Sequence, residues 1–204
     1  RRYYTNIVGK YGPQVQSLLK KTGKLDIRMI CPLHGLVWRK NLGFFLDKYA
    51  HWAAYEPEER GVVIVYASMY GNTESAAQIL AAKLADRGVR NLDVFDVSNT
   101  HVSYLIADVF RYSHLVLASV TYNLGIFPPM KNFVEDMKAL NLQNRTCAVI
   151  ENGSWACRSG SLIHTALGGM KKMRILPQSV SLVSRMGRKN VPEMDALADA
   201  LAAD

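Results

Sequence analysis

The chain has 204 residues, is 49% hydrophobic and carries a formal net charge of +8. That composition supplies one full-sized core and part of another, and no apolar run is long enough to span a bilayer. The basic residues lie in short dispersed groups (Lys20–Lys21, Lys171–Lys172–Arg174, Arg185–Arg188–Lys189) without an RNP, helix-turn-helix or zinc-finger pattern. They therefore read as solvated surface that draws an acidic protein partner, and neither a nucleic acid nor a membrane is expected as a partner.

The opening, RRYYTN, has no initiating Met and points to a piece of something longer; a cytoplasmic setting is the default. Gly12–Pro13 precedes a short amphipathic helix, Val15 to Lys21. LDIRMICPLHG then reads as a short strand ending in a turn at Pro32–Gly35. Phe44 to Ala54 is read as helix, and residues 55–61 (YEPEERG) as a polar hinge. The cysteines, Cys31, Cys147 and Cys157, are odd in number and lack CxxC spacing, so three reduced, mostly buried thiols are expected.

From Gly61 the chain alternates. Val62–Tyr66 is β-branched and apolar, as a strand buried on both faces requires. Thr73 to Arg87 is helical, with Ala77, Leu80, Ala81 and Leu84 on one stripe and Gly88 at the stop. Leu92–Val97, His114–Ser119, Thr146–Ile150 and Ser179–Val183 follow as strands. The helices between them are Val102–Phe110, Met130–Leu140 and about Gly160 to Met173. Pro192 suits the first turn of a last helix whose apolar face is Met194, Leu197 and Leu201. Five strands alternating with helices predict an α/β fold, a doubly wound five-stranded parallel sheet in a three-layer sandwich, preceded by a short α+β segment. The boundary is expected near residue 60, giving 1–60 and 61–204.

Ligands of such sheets bind outside the carboxyl ends of the strands, near the point where chain order reverses. The loops there are Ser68–Met69–Tyr70–Gly71–Asn72–Thr73, then Val120 to Pro128, then Glu151 to Ala156. Each carries small hydroxyl or amide residues, one glycine and at least one aromatic. GxxxxGK[ST] and GxGxxG are both missing, and strands one and three end in Ala67–Ser68 and Ser119–Val120, without the acids that would hold Mg²⁺. What remains is a phosphate held by neutral donors: the hydroxyls of Ser68 and Thr73, successive amides from Met69 to Thr73, and a helix N-terminus. On the loop alone, a plain helix start capped by Asn72 or Thr73 explains the same residues equally well.

SMYGNTE, preceded by VIVYA, resembles the FMN-phosphate loop of flavodoxin-like domains, whose usual form is T/S-x-T/Y-G-x-T. With TYNLGIFP and ENGSW after it, the chain resembles more narrowly the flavodoxin domain of the flavodiiron proteins (A-type flavoproteins), enzymes that reduce O₂ or NO. YYTNIVGKYGPQVQSLLKK and DIRMICPLHGLVWR resemble the closing part of the metallo-β-lactamase-like diiron domain that precedes it in that family. The resemblance implies strand order 2-1-3-4-5. It implies that Ser68, Met69, Tyr70, Gly71, Asn72 and Thr73 cradle the FMN phosphate. It also implies that Thr121, Tyr122, Asn123 and Gly125 flank the ring and ribityl chain, and that Asn152, Gly153, Ser154 and Trp155 close the third side. Trp155 is then the candidate to stack on the isoalloxazine; its alternative is a core or interface aromatic. Tyr122 could equally plug the sheet edge.

The family's HxExDH ligand motif is missing from this sequence. His34, in PLHG, matches the family's final iron-binding histidine but stands without the cluster that two irons need, so diiron is implied only for a full-length protein. The resemblance further implies electron donation by rubredoxin or a similar acidic carrier, and a head-to-tail homodimer. Two rival readings are a free-standing flavodoxin-like carrier or FMN-dependent quinone reductase, and a flavin-free binding or scaffold remnant.

Overall fold

The computed structural model describes residues 1–203. Its centre is strand β1 (Glu59–Ala67), whose side chains are buried on both faces because the run has no polar residue from Val62 to Val65. Strands β2 (Leu92–Asp96), β3 (Tyr112–Tyr122), β5 (Thr146–Asn152) and β6 (Arg174–Leu182) join it in the order β2-β1-β3-β5-β6, each pair parallel. A two-residue strand, β4 (Gly125–Ile126), pairs antiparallel with the end of β3 and stands off this path. The five strands expected from sequence are thus in the expected order, and β4 is an addition.

Alternate residues of β1 feed two cores. Val63 and Val65 pack with helices α4 (Val102–Arg111), α5 (Pro128–Ala139) and α6 (Ser159–Gly168), through Leu105, Phe110, Phe133 and Ile163. Val62, Ile64 and Tyr66 pack with helices α3 (Asn72–Asp86) and α7 (Val191–Ala203), through Ala77, Leu80, Leu84, Met194 and Leu197. The result is the three-layer, doubly wound sandwich.

Several elements run a few residues beyond their expected ends, and two boundaries differ most. The strand placed at Ser179–Val183 begins at Arg174. Pro177 lacks the N–H a ladder needs, and the register jumps there, from Cys147↔Ile175 to Val149↔Ser179. A bulge on an edge strand accommodates it, so the strand runs through. The helix read as far as Met173 stops at Gly168, followed by Gly169 and by Lys172 at φ +54°.

The first 58 residues form a π-helical turn (Tyr4–Val8), a 3-10 turn (Gly9–Tyr11) and helices α1 (Gly12–Thr22) and α2 (Leu42–Ala54). Tyr4, Val15, Trp52 and Ala53 make a small core of their own. The strand expected in LDIRMICPLHG does not form; an isolated bridge, Ile30 to Trp38, takes its place. Leu25, Met29, Leu33, Leu36 and Val37 around it are exposed, so the segment has no apolar face to fold against among the described residues. The thiols also differ from expectation: Cys147 is buried and Cys157 half-buried, whereas Cys31, in this same segment, is exposed.

The polar stretch 55–61 is tied at several points. The Tyr55 hydroxyl accepts from the Gly12 N–H at 3.2 Å. Glu58 binds Arg1 (3.2 Å), Lys48 (3.0 Å) and the Trp52 indole N–H (2.6 Å). Burial alone would raise the Glu58 carboxyl, but Lys48, Trp52 and Arg1 hold it below its ordinary value. Arg145, fully buried, donates to five backbone carbonyls: Tyr55, Val109, Phe110, Gln143 and Asn144. It thereby joins the end of α2, the end of α4 and the start of β5.

Candidate functional site

The carboxyl ends of β1, β3, β5 and β6 meet at one edge of the sheet, and all three expected loops lie there. The first loop turns on Gly71, whose φ of +82° is a left-handed conformation that glycine adopts without penalty. The Ser68 hydroxyl accepts from the Gly71 N–H at 3.1 Å and fixes that turn. Gly71 is also the residue from which α3 starts, and no side chain caps the helix. Neither Asn72 nor Thr73 therefore serves as the cap, and the first N–H groups of α3, on Asn72, Thr73 and Glu74, have no acceptor inside the helix. Met69 and Tyr70 are exposed at the rim.

An acid in this first turn, Glu74, would compete with a bound anion. Its carboxylate accepts instead from the Tyr66 hydroxyl at 3.1 Å, which turns it toward the strand. Burial, followed by that carboxylate, pushes the Tyr66 hydroxyl up to about 12, so it stays a donor at neutral pH.

Thr73 is 1% exposed, and its Oγ1 accepts from the side-chain amide of Asn152 at 3.2 Å. Asn152, 3% exposed, donates also to the Ser184 carbonyl at 2.8 Å. Ser184, at φ +63°, places its hydroxyl 3.1 Å from that of Ser154. The loop after β6 is thus a fourth wall, one that the sequence did not announce.

Gly153 donates its N–H to the Leu182 carbonyl at 3.1 Å. A Cβ there would stand 2.3 Å from the Ala156 carbonyl oxygen, so the turn closes only over glycine. That tight turn throws Trp155 outward, 102% exposed with both ring faces open. A core role for Trp155 is set aside by that exposure.

The sequence predicts a loop from Val120 to Pro128. These residues instead form a hairpin, with Asn123 (φ +47°) and Leu124 (φ +57°) as the two central residues between paired Tyr122 and Gly125. Two successive positive φ values are the mark of a type I′ turn. Tyr122 is part-exposed and meets Phe127 edge-on, ring centroids 5.8 Å apart. Thr121 does not offer its hydroxyl to the rim. The hydroxyl accepts from the N–H groups of Arg158 (3.0 Å) and Ser159 (3.2 Å) and lies 3.3 Å from the Ser159 hydroxyl.

His34 lies far from these loops in sequence, its ring stacked on Tyr3 with centroids 4.3 Å apart. Among the described residues no group of three or more His, Cys, Asp and Glu side chains is placed to hold a metal. Two cavities, of about 290 and 430 Å³, open at the opposite edge of the sheet, beside Arg60 and His114. No helix of the described residues is long and apolar enough to cross a membrane.

The four-loop edge can therefore hold a small anion by hydroxyls, amides and a helix terminus, and can offer a flat aromatic face beside it. Residues 64–177 match the flavodoxin family. Rubredoxin-oxygen oxidoreductase of Megalodesulfovibrio gigas is 29% identical over 174 residues, which are 83% of this chain and 43% of that protein. Anaerobic nitric oxide reductase flavorubredoxin of Escherichia coli O6:K15:H31 is 29% identical over 161 residues, 76% of this chain and 33% of that one. The solved rubredoxin oxygen:oxidoreductase from Desulfovibrio gigas superposes with a TM-score of 0.89 at 26% identity, covering 100% of this chain and 51% of its own. The flavodiiron protein from Giardia intestinalis shares the fold, with a TM-score of 0.88 at 18% identity over 99% of this chain and 50% of its own. The chain thus spans less than half the length of these curated relatives and about half that of these structures.

Proposed function

Because the chain belongs to the flavodoxin family, we propose that its four-loop edge binds FMN and that the chain is the electron-transfer part of a flavodiiron-type oxidoreductase. In this reading residues 61–204 are the FMN-binding domain and residues 1–60 the closing part of a diiron domain. The observation that carries the reading is the start of α3: an uncapped helix N-terminus on a left-handed Gly71, beside a buried hydroxyl, Thr73, and with its acid, Glu74, turned away. A monophosphate needs no lysine when such donors converge.

FMN, when bound, supplies the one- and two-electron chemistry, and the protein sets how it is held. Ser68, Met69, Tyr70, Gly71, Asn72 and Thr73 surround the phosphate. Ser68 does so by fixing the turn, and Thr73 by its hydroxyl. Trp155 and Tyr122 offer the flat apolar surfaces for the ring. Asn123, Gly125, Gly153 and Ser154 offer backbone and side-chain polar groups to the ring's edge and the ribityl hydroxyls. Thr121 acts at one remove, by holding the start of α6 in place.

Among the described residues no group of side chains composes a diiron site: His34 is a candidate ligand engaged with Tyr3, and reduction of O₂ or NO would belong to a longer protein. That protein would be a head-to-tail homodimer supplied by rubredoxin or a similar acidic carrier. The donor's acidity and this chain's +8 charge make the encounter sensitive to ionic strength. The packing of Arg1, Arg2 and Asn6 onto Glu58, Ser103 and Asp108 speaks against a free-standing carrier that merely begins near residue 60.

The test is direct. The purified chain, supplied with flavin, should be yellow and release FMN on denaturation. A colourless protein that does not take up added FMN contradicts the reading.

A further inference from the structure

The structure assigns to Asn152 the part of a positioning residue for the phosphate end of the site, acting through Thr73 instead of by contact with the ligand. This inference rests on the FMN reading above and goes beyond it, because the resemblance put Asn152 among the groups beside the cofactor.

The argument is one of donor and acceptor direction. The Ser184 carbonyl can only accept, so the side-chain atom of Asn152 that lies 2.8 Å from it is the amide nitrogen. The same nitrogen lies 3.2 Å from Thr73 Oγ1, so there the hydroxyl is the acceptor. A hydroxyl that accepts from one side has its own proton left to donate. Among the described residues Thr73 Oγ1 makes no second hydrogen bond, although it is 1% exposed. Leaving a buried donor unspent is costly, and a site that does so is organised for an acceptor from outside the chain. The first N–H groups of α3, uncapped, sit beside that hydroxyl on the same helix turn. The acceptor they share is an anion.

Asn152 therefore does two things. It orients the Thr73 proton away from itself and strengthens it, since a hydroxyl that accepts a hydrogen bond donates a better one. It also ties the loops after β1, β5 and β6 together through Thr73, its own backbone and Ser184, so the phosphate seat is formed before the ligand arrives. Asn152 itself, 3% exposed, has both amide hydrogens committed to protein atoms.

The experiment is a double-mutant cycle on the chain freed of flavin, read with FMN and with riboflavin, which lacks the phosphate. Asn152→Leu keeps the side-chain volume and removes the donors; Thr73→Val keeps the shape and removes the hydroxyl. Asn152→Leu should weaken FMN on the order of tenfold, the scale of one hydrogen bond to a charged group. It should leave riboflavin within about twofold, and in the Thr73→Val background it should add less than about twofold. Equal weakening of FMN and riboflavin, or the same factor in both backgrounds, would overturn the proposal. Thr73→Val alone keeps it falsifiable if Asn152→Leu does not fold: unchanged FMN affinity in that variant refutes it. A wild-type chain that binds neither flavin overturns the parent reading and this inference with it. A wild-type chain that binds FMN while failing the cycle overturns only the role of Asn152.

Discussion

Thr121 Oγ1 lies 3.0 Å from the backbone nitrogen of Arg158 and so caps, from the end of β3, a helix that begins thirty-odd residues later. Arg158 has no cap of its own making, and the Ser159 N–H reaches the same oxygen at 3.2 Å. The bond fastens the hairpin loop to the loop that carries Trp155. Thr121→Val, which keeps the shape and removes the acceptor, should therefore cost about 1–2 kcal/mol of stability, the range for a lost helix cap. Chemical denaturation of the flavin-free chain measures it; no change would mean that water replaces the hydroxyl there without loss.

Trp155 behaves in the opposite way. It is fully exposed, so Trp155→Ala should leave the stability of the flavin-free chain within about 0.5 kcal/mol. If its face stacks on the flavin ring, the same change should weaken FMN and riboflavin alike, by roughly tenfold, since stacking on an aromatic side chain is worth about 1–3 kcal/mol. Paired denaturation and fluorescence titrations separate the two effects.

The interior polar groups set a pH dependence. Burial, and after it the charges of Arg60 and Arg174, push His114 down to about 4 from an ordinary 6.5. Between those values the unfolded chain takes up a proton that the native chain refuses. The contribution of His114 to stability is therefore whole above pH 6.5 and falls as pH drops, on the order of 3 kcal/mol by pH 4. His114→Gln should flatten that part of the slope. Urea midpoints of the two proteins from pH 7 to pH 4 provide the comparison, and parallel curves would refute it.

Arg145 is the second such group. Its guanidinium serves five backbone carbonyls, and burial lowers it only to about 10, so it stays charged at neutral pH. Lysine has three donors and no fork. Arg145→Lys should leave at least two carbonyls unmet and cost roughly 3 kcal/mol, seen as a lower denaturation midpoint with the N-terminal segment loosened first, by hydrogen exchange at Tyr55 and Glu56.

These cases mark what could be read from the sequence. Buried strands announced themselves, because an apolar β-branched run such as Val62–Val65 has one use in an alternating chain. The turn at Gly71 was legible for a similar reason: few residues other than glycine take its φ cheaply. Strand β6 was half hidden by Pro177, since a proline usually marks the absence of a ladder and here marks a bulge. The type I′ hairpin was hidden by Leu124, a residue seldom found at positive φ. The pairings of Thr121 with Arg158 and of Asn152 with Thr73 had no local signal. They join residues 37 and 79 positions apart, and nothing in a threonine or an asparagine says which distant backbone it will meet. The resemblance named the loops; it could not say which of their side chains face one another, as Thr73 and Asn152 do.

The central claim is that a phosphate is held at the start of α3 by neutral donors. It is tested most directly by titrating the flavin-free chain with FMN and with riboflavin over a range of salt concentrations. FMN should bind about a hundredfold or more tighter than riboflavin, as several hydrogen bonds to a charged phosphate imply. That advantage should change little with salt, because hydroxyls, amides and a helix terminus in a formed seat release few counter-ions. Equal affinity for the two flavins, or an advantage that disappears as salt is raised, would contradict it.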